Sequence, residues 1–180
     1  MARQKEIVLC VTASIAIYKA CDITRRLKEE GCAVSVVMTK EAEEFIRPAL
    51  FANLSGNKVL TGMFSDPGAW DIEHVSLADR AGVVLIAPAT ANIIAKLAAG
   101  ICDDLLTCVV SATRAKVVIA PAMNENMYLN PITQGNIKKL QIAGAKFIGP
   151  VRGKLACGKA GMGCLAGVDA IVQETLRLLK

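Results

Sequence analysis

A polar turn containing two methionines is the segment in which residue types and spacing point most directly to chemistry. Residues 121–127 (PAMNENM) follow an apolar run that predicts a β-strand. The amide of Asn124 could hydrogen-bond a carboxylate or carbonyl group of a ligand. The pattern alone leaves open the alternative of a capping asparagine beside core methionines.

Two other strand ends carry residues that suit a phosphate group. Residues 12–16 (TASIA) open the first predicted helix with Ser14 as its N-cap, and residues 87–93 (APATANI) place Thr90 and Asn92 at another helix start. Helix N-termini offer free N–H groups and a partial positive charge. Ordinary helix capping is the alternative for each segment, and neither matches the glycine-rich dinucleotide or Walker A motif.

Two single residues could move protons. His74, the only histidine, lies at the start of a predicted helix, where a structural role is equally open. Cys157 lies in a glycine-rich segment from 149 to 167, predicted as an irregular loop, between Lys154 and Lys159. Nearby cations favour a reactive thiolate, and long ordered loops often serve as active-site lids. The alternative is a flexible loop with an incidental cysteine.

The elements that must position these residues alternate between strands and helices. We predict strands at 6–11, 33–38, 83–86, 116–120 and 146–148, and helices at 14–30, 40–45, 48–54, 90–99, 103–112, 132–143 and 168–179. This order predicts one α/β domain over residues 1–180, with a doubly wound parallel sheet. Ligands bind beyond the carboxyl ends of such strands, so the segments after the strands should converge.

The composition of the chain excludes several other classes of protein. The 180 residues are 53% hydrophobic but only 4% aromatic, which suits a core of small aliphatic residues under helices. The net charge of +5 comes without a basic run, which argues against nucleic-acid binding. Seven cysteines without CxxC spacing argue against a zinc site and for a reducing, cytoplasmic setting. No apolar run is long enough to span a membrane.

Taken together, four motifs resemble those of the homo-oligomeric flavin-containing cysteine decarboxylases, and especially the group acting on phosphopantothenoylcysteine. They are 72–74 (IEH), 88–92 (PATAN), 121–127 (PAMNENM) and 156–158 (ACG), within a likeness from Ile7 to about Asp169. The resemblance implies a flavodoxin-like fold that binds FMN at a subunit interface, in trimers often assembled into dodecamers. It implies decarboxylation of 4′-phosphopantothenoylcysteine to 4′-phosphopantetheine in coenzyme A biosynthesis, through transient oxidation of the thiol to a thioaldehyde.

The resemblance also implies roles for individual residues. His74 would be the base and Cys157 the proton donor, and the substrate would contact Asn124, Ala156 and Met127. The residues that would contact FMN are Ala13, Ser14, Ile15, Thr39, Thr90, Ala91, Asn92, Ile93 and Ala122. The implied partners are a small phosphorylated thiol substrate, further copies of the chain, and a phosphopantothenate–cysteine ligase, which many bacterial relatives carry as a fused domain. The sequence leaves open a stand-alone enzyme with a separate ligase and an isolated domain of a longer protein.

Some positions depart from the family pattern. Ala13 stands where glycine is common, Thr90 where serine is common and Tyr128 where tryptophan is frequent, while Cys164-Leu165 replaces an arginine–methionine pair. The lost arginine removes an expected substrate contact, which Lys154 or Lys159 could replace.

Three other functions stay open: a peptidyl-cysteine decarboxylase, a flavin prenyltransferase of the same fold, and a non-catalytic flavin-binding regulatory subunit. The 156–158 motif favours the small substrate, and the presence of both His74 and Cys157 favours an enzyme.

Overall fold

The computed structural model describes residues 6–63 and 73–179. The strands are β1 (Glu6–Val11), β2 (Ala33–Met38), β3 (Val83–Ala89), β4 (Lys116–Pro121), β5 (Lys146–Phe147), β6 (Val151–Lys154) and β7 (Ala160–Cys164). The α-helices are α1 (Tyr18–Glu29), α2 (Pro48–Ser55), α3 (Glu73–Arg80), α4 (Ala91–Ala99), α5 (Leu105–Ala112), α6 (Glu125–Leu129), α7 (Pro131–Ile142) and α8 (Val168–Leu178). Short 3-10 helices span Ile15–Ile17 and Lys40–Glu44.

Five strands form one parallel sheet in the order β2-β1-β3-β4-β5. Ile7 of β1 aligns with Val34 of β2 on one side and Val83 of β3 on the other. The order reverses direction at β1, so the loops after β1 and β3 diverge and leave a crevice between them. This is the flavodoxin-like order, and the predicted doubly wound parallel sheet is confirmed.

The two faces of the sheet are covered by different helices. On one face, Leu9 packs in a buried cluster with residues of α1, α2 and α8. On the other, Val8 and Cys10 pack with residues of α3, α4, α5 and α7. Burial on both faces explains why β1 and β3 are almost continuously apolar. Within the described part of the chain, no helix is long and apolar enough to cross a membrane.

The structure corrects several predicted elements. The segment 149–167 is not an irregular loop, because it contains an antiparallel hairpin formed by β6 and β7. Its high glycine content conceals the alternation of side chains that would have marked two strands. The helix predicted from residue 14 starts as a 3-10 turn, and the predicted helix at 40–45 is a 3-10 helix. Strand β3 continues through Pro88 to Ala89, and the short helix α6 was not predicted.

Candidate functional site

A cavity of about 610 Å³ opens at the carboxyl edge of the sheet. Its wall comes from the loop after β1, the start of α4, the turn after β4 and the β6–β7 hairpin. The structure thereby brings ten of the predicted site residues to one place. They are Ala13, Ser14, Ile15, Thr90, Ala91, Ala122, Asn124, Met127, Ala156 and Cys157.

A buried hydroxyl joins the loops after β1 and β3. Thr12 is only 2% exposed, and its O–H donates a hydrogen bond to the Pro88 carbonyl at 2.7 Å. The same oxygen accepts a hydrogen bond from the Thr90 N–H at 3.2 Å. Because Thr12 satisfies both groups, it fixes the start of α4 relative to the loop that carries Ser14.

Two capped helix starts face the cavity. The Ser14 hydroxyl accepts from the Ala16 N–H at 3.3 Å, and the Thr90 hydroxyl accepts from the Ile93 N–H at 3.3 Å. Each hydroxyl keeps its own hydrogen to donate, since capping uses only an oxygen lone pair. The earlier N–H groups of each first turn have no partner inside the helix. Together these groups can hold an anion at the cavity wall.

Asn124 is both a helix cap and a cavity residue. Its Oδ1 accepts from the Asn126 N–H at 2.9 Å and so caps α6. Capping leaves the side-chain NH₂ group with two hydrogens to donate. The capping role is therefore compatible with a ligand contact, because each would use a different end of the amide.

The β6–β7 hairpin forms a lid along one side of the cavity. Its tip is a tight turn, in which the Leu155 N–H donates to the Lys159 carbonyl at 2.8 Å and the Gly158 N–H donates to the Leu155 carbonyl at 2.9 Å. Gly158 has a φ of +84°, which favours glycine at that position. Cys157 is exposed at this tip and lines the cavity, so its thiol can reach a bound molecule.

Four predicted site residues lie elsewhere in the single chain. His74 lies on α3, which packs against α5, and it is absent from the cavity wall. Thr39 lines a second cavity of about 300 Å³ and caps the 3-10 helix after β2. Asn92 is exposed, and the side chain of Ile93 is buried in the core.

Charged residues beside the second cavity form a compact cluster. Lys96 donates to Asp103 at 2.8 Å and to Asp104 at 3.1 Å. The hydrogen bond between Lys96 and Asp103 raises the pKa of the lysine and lowers that of the carboxyl. Asp103 is exposed, so the pair contributes little stability.

Several of the other cysteines have a raised thiol pKa. Burial raises the pKa of the Cys10 thiol, and it also raises that of Cys108, which lies outside the main cavity.

Across 6–63 and 73–179, no group of three or more histidine, cysteine or acidic side chains could hold a metal ion.

Sequence reasoning missed several residues of the cavity wall. Tyr18 and Lys19 lie about one turn after Ser14 at the start of α1, a spacing that places them on the same side. Met123 and Cys164 also line the cavity, because the return strand of the hairpin lies against the 121–127 turn. The helical spacing could have identified Tyr18 and Lys19 from the sequence. The contact between the hairpin and the 121–127 turn could not be identified, because no sequence pattern marks it.

The whole chain, residues 1–180, matches the profile of the family described as Flavoprotein. The chain belongs to the flavoprotein family. The resemblance to flavin-containing cysteine decarboxylases that the four motifs predicted is confirmed.

Two curated relatives of this flavoprotein are similar over nearly its full length. The "Coenzyme A biosynthesis bifunctional protein CoaBC" of Bacillus subtilis (strain 168) is 44% identical over 173 residues, which are 96% of this chain and 43% of the relative. This flavoprotein therefore spans less than half the length of that relative. The "Probable phosphopantothenoylcysteine decarboxylase" of Streptococcus mutans is 44% identical over 172 residues, covering 94% of this chain and 96% of the relative.

Two solved structures share the fold of this flavoprotein. A PPC decarboxylase mutant complexed with pantothenoylaminoethenethiol superposes with a TM-score of 0.85 at 30% identity, covering 98% of both chains. The FMN-dependent cysteine decarboxylase SpaF also has a TM-score of 0.85, at 28% identity and 98% coverage of both chains. Because the two TM-scores are equal, the fold alone does not show which of these two proteins this chain resembles in its substrate.

Proposed function

We propose that this flavoprotein is an FMN-dependent decarboxylase that converts 4′-phosphopantothenoylcysteine to 4′-phosphopantetheine in the cytoplasm, as a step of coenzyme A biosynthesis. One observation carries the proposal: a single cavity joins the Asn124 turn, the Cys157 lid tip and two capped helix starts. The similarity to the "Probable phosphopantothenoylcysteine decarboxylase" of Streptococcus mutans, over almost all of both chains, supports the choice of substrate.

The residues at the cavity wall fit FMN. The Ser14 and Thr90 hydroxyls and the free N–H groups beside them suit its phosphate. The small side chains of Ala13, Ala91 and Ala122 leave backbone open to a flat ring at the same wall. Bound FMN would supply reversible hydride transfer, a chemistry that no protein side chain provides.

The proposed FMN contacts outside this cavity would act from neighbouring positions. Thr39 would contribute from the second cavity, and Asn92 from the exposed first turn of α4. Ile93 would contribute indirectly, because the residue is 1% exposed and its N–H donates to the Thr90 hydroxyl and so orients it.

Asn124 would hold the carboxylate that leaves as CO₂. Its NH₂ group can donate to a carboxylate while its oxygen remains bonded to Asn126. Met127 and Ala156 line the same wall and would present apolar surface to that carboxylate. An apolar surrounding favours uncharged CO₂ over the carboxylate, so the site favours the reaction at this position.

Cys157 would supply the proton that completes the saturated product. The thiol lies on the lid tip at the cavity wall, where it can approach the carbon that has lost CO₂. A positioned acid of this kind accelerates proton transfer, typically by about 100-fold to 10,000-fold.

We propose that His74, as the base that takes the substrate's thiol proton, is delivered by a second copy of the chain. In its own chain, His74 lies on α3 outside the cavity wall. Ile15 and Tyr18 at the cavity rim are each 60% exposed, and they give an apolar surface on which a second copy can pack. The working form would then be a homo-oligomer, a trimer or a dodecamer, of one flavoprotein domain over residues 1–180.

We propose a phosphopantothenate–cysteine ligase as the partner that supplies the substrate. The bifunctional relative is more than twice as long as this chain, so its remaining part has no counterpart in these 180 residues.

Flavin analysis and a product assay test the proposal together. The purified protein should be yellow, should release FMN on denaturation, and should convert phosphopantothenoylcysteine to phosphopantetheine with release of CO₂. A colourless protein that cannot be reconstituted with FMN would contradict the cofactor assignment. A flavin-loaded protein that leaves the substrate intact would contradict the proposed activity.

A further inference from the structure

The return strand of the lid is attached to the Asn124 turn by a carboxylate that the mechanism above does not use. Glu125 is the first residue of α6 and follows Asn124 directly. Its Oε1 accepts a hydrogen bond from the Met162 N–H of β7 at 2.7 Å. The contact joins residues 37 positions apart in the sequence, so it is a tertiary link between two walls of the cavity.

Two glycines of β7 allow this close approach. A Cβ atom added at Gly161 would lie 2.6 Å from Oε2 and 2.8 Å from Oε1 of Glu125, so the carboxylate lies directly against the backbone. At Gly163, an added Cβ would overlap the Met123 carbonyl oxygen. The Gly163 carbonyl also accepts a hydrogen bond from the Met123 N–H at 3.0 Å. Strand β7 therefore packs closely against residues 123–125, because Gly161 and Gly163 place no side chains of their own in the contact.

The position of β7 determines where the lid tip lies. Gly153 and Arg152 of β6 pair with Gly161 and Met162 of β7, so β6 follows wherever β7 is attached. Cys157 lies in the connection between these strands. A group that fixes β7 to the 123–125 segment therefore also fixes the distance from Cys157 to Asn124.

We propose that Glu125 is a positioning residue, which latches β7 to the turn that holds the substrate carboxylate and so keeps Cys157 at the cavity. The expected effect on proton donation by Cys157 rests on the proposed function. The attachment of β7 by Glu125 does not depend on that function, because it can be measured in the protein without substrate.

Hydrogen–deuterium exchange of the full-length, flavin-loaded protein tests the latch. In Glu125→Ala, amides of 155–165 should exchange about tenfold faster than in the wild type, which corresponds to about 1.4 kcal/mol of opening free energy. Glu125→Gln keeps an acceptor oxygen for the Met162 N–H and should stay within about threefold of the wild type. Asn126→Ala, an exposed neighbour on the same helix, is the matched control and should leave exchange unchanged.

A second variant approaches the same contact from the lid. Gly161→Ala places a methyl group where the Glu125 carboxylate lies, so it should accelerate exchange as Glu125→Ala does. If the two changes act through one latch, the double variant should exchange no faster than either single variant. Unchanged exchange in Glu125→Ala, or full additivity in the double variant, would overturn the latch.

Product analysis tests whether the latch positions Cys157. Glu125→Ala should still release CO₂ in a first turnover, but it should form saturated product at least about tenfold more slowly, with the rate restored in Glu125→Gln. Equal product formation by Glu125→Ala and the wild type would overturn the positioning role. A wild-type protein without decarboxylase activity would overturn the proposed function instead, and the exchange rates would still decide the latch.

Discussion

The two ends of the Asn124 amide serve an observed helix cap and a proposed substrate contact, so a substitution can separate the two roles. The oxygen caps α6 by accepting from the Asn126 N–H, which leaves the NH₂ group of this cavity residue with two hydrogens to donate. An aspartate retains the capping oxygen but replaces the two hydrogens with negative charge.

For Asn124→Asp we expect normal stability, because aspartate caps helices as well as asparagine does. We expect kcat/KM for the carboxylate substrate to fall by about 100-fold or more, because two like charges would meet where one donated hydrogen bond existed. Thermal melting and steady-state kinetics check the two parts. An unchanged kcat/KM in this stable variant would assign Asn124 to capping alone.

Cys157 and Cys164 both line the cavity, but only Cys157 lies at the lid tip. The Cys164 thiol instead donates to the Lys154 carbonyl across the hairpin at 3.5 Å. Substituting each cysteine by serine therefore compares a proposed proton donor with a neighbouring thiol at the same wall.

For Cys157→Ser we expect CO₂ release in a single turnover but saturated product formed about 100-fold or more slowly, since the positioned acid is lost. Rapid quenching followed by mass spectrometry checks both quantities, with Cys164→Ser as the control that should remain near the wild-type rate. Unimpaired product formation by Cys157→Ser would remove the proton-donor role.

At the scale of elements, Thr12 connects the loops after β1 and β3, whose hydroxyl and N–H groups can hold an anion at the cavity wall. Its buried hydroxyl satisfies a carbonyl and an N–H of the loop after β3. Removing the hydroxyl would leave both backbone groups without a partner away from water.

For Thr12→Val, a substitution of similar shape, we expect unfolding free energy to fall by about 1–3 kcal/mol and FMN to bind more weakly. Thr12→Ser keeps the hydroxyl and should retain most of the stability and most of the FMN affinity. Chemical denaturation measures the unfolding free energy, and fluorescence titration with FMN measures the affinity. Equal flavin affinity in the valine variant would show that the link is dispensable for the wall.

Strands and helices were predictable from the sequence where each has a continuous pattern. The apolar runs of β1, β2 and β4 and the capping residues Ser14 and Thr90 mark their elements within a residue or two. The lid could not be predicted in this way, since its glycines at 153, 161 and 163 serve close backbone contacts rather than a side-chain pattern. Most of the main cavity followed from one rule, that loops after parallel strands meet at one edge.

The location of His74 could not be predicted from the sequence for a different reason. Its motif fits a proton carrier, but α3 packs against α5 and leaves it away from the cavity of its own chain. A residue that acts in another copy leaves no signal in the folding of a single chain.

At the scale of the whole molecule, the proposed role of His74 requires sites shared between copies. We expect His74→Asn and Cys157→Ser to be inactive in product formation separately. Unfolded and refolded together, they should recover about a quarter of the wild-type rate, because random mixing gives some sites an intact residue from each chain. The recovered rate after mixing is the measurement. No recovery, despite mixed oligomers demonstrated by differently tagged chains, would contradict the shared site.

The choice of substrate is also a property of the whole cavity. An arginine of the family pattern is replaced by Cys164, but Lys19 and Lys154 line the cavity and can attract an anionic substrate. A peptide ending in cysteine shares the reacting carboxylate and thiol but lacks the phosphate.

The most direct test of the account is therefore the comparison of kcat/KM for phosphopantothenoylcysteine and for a cysteine-terminated peptide, with the same FMN-saturated protein. We expect the phosphorylated small molecule to be preferred by about 100-fold or more, because the cavity pairs a carboxylate-binding turn with cationic side chains. Equal or better turnover of the peptide, or turnover of neither substrate, would contradict the account.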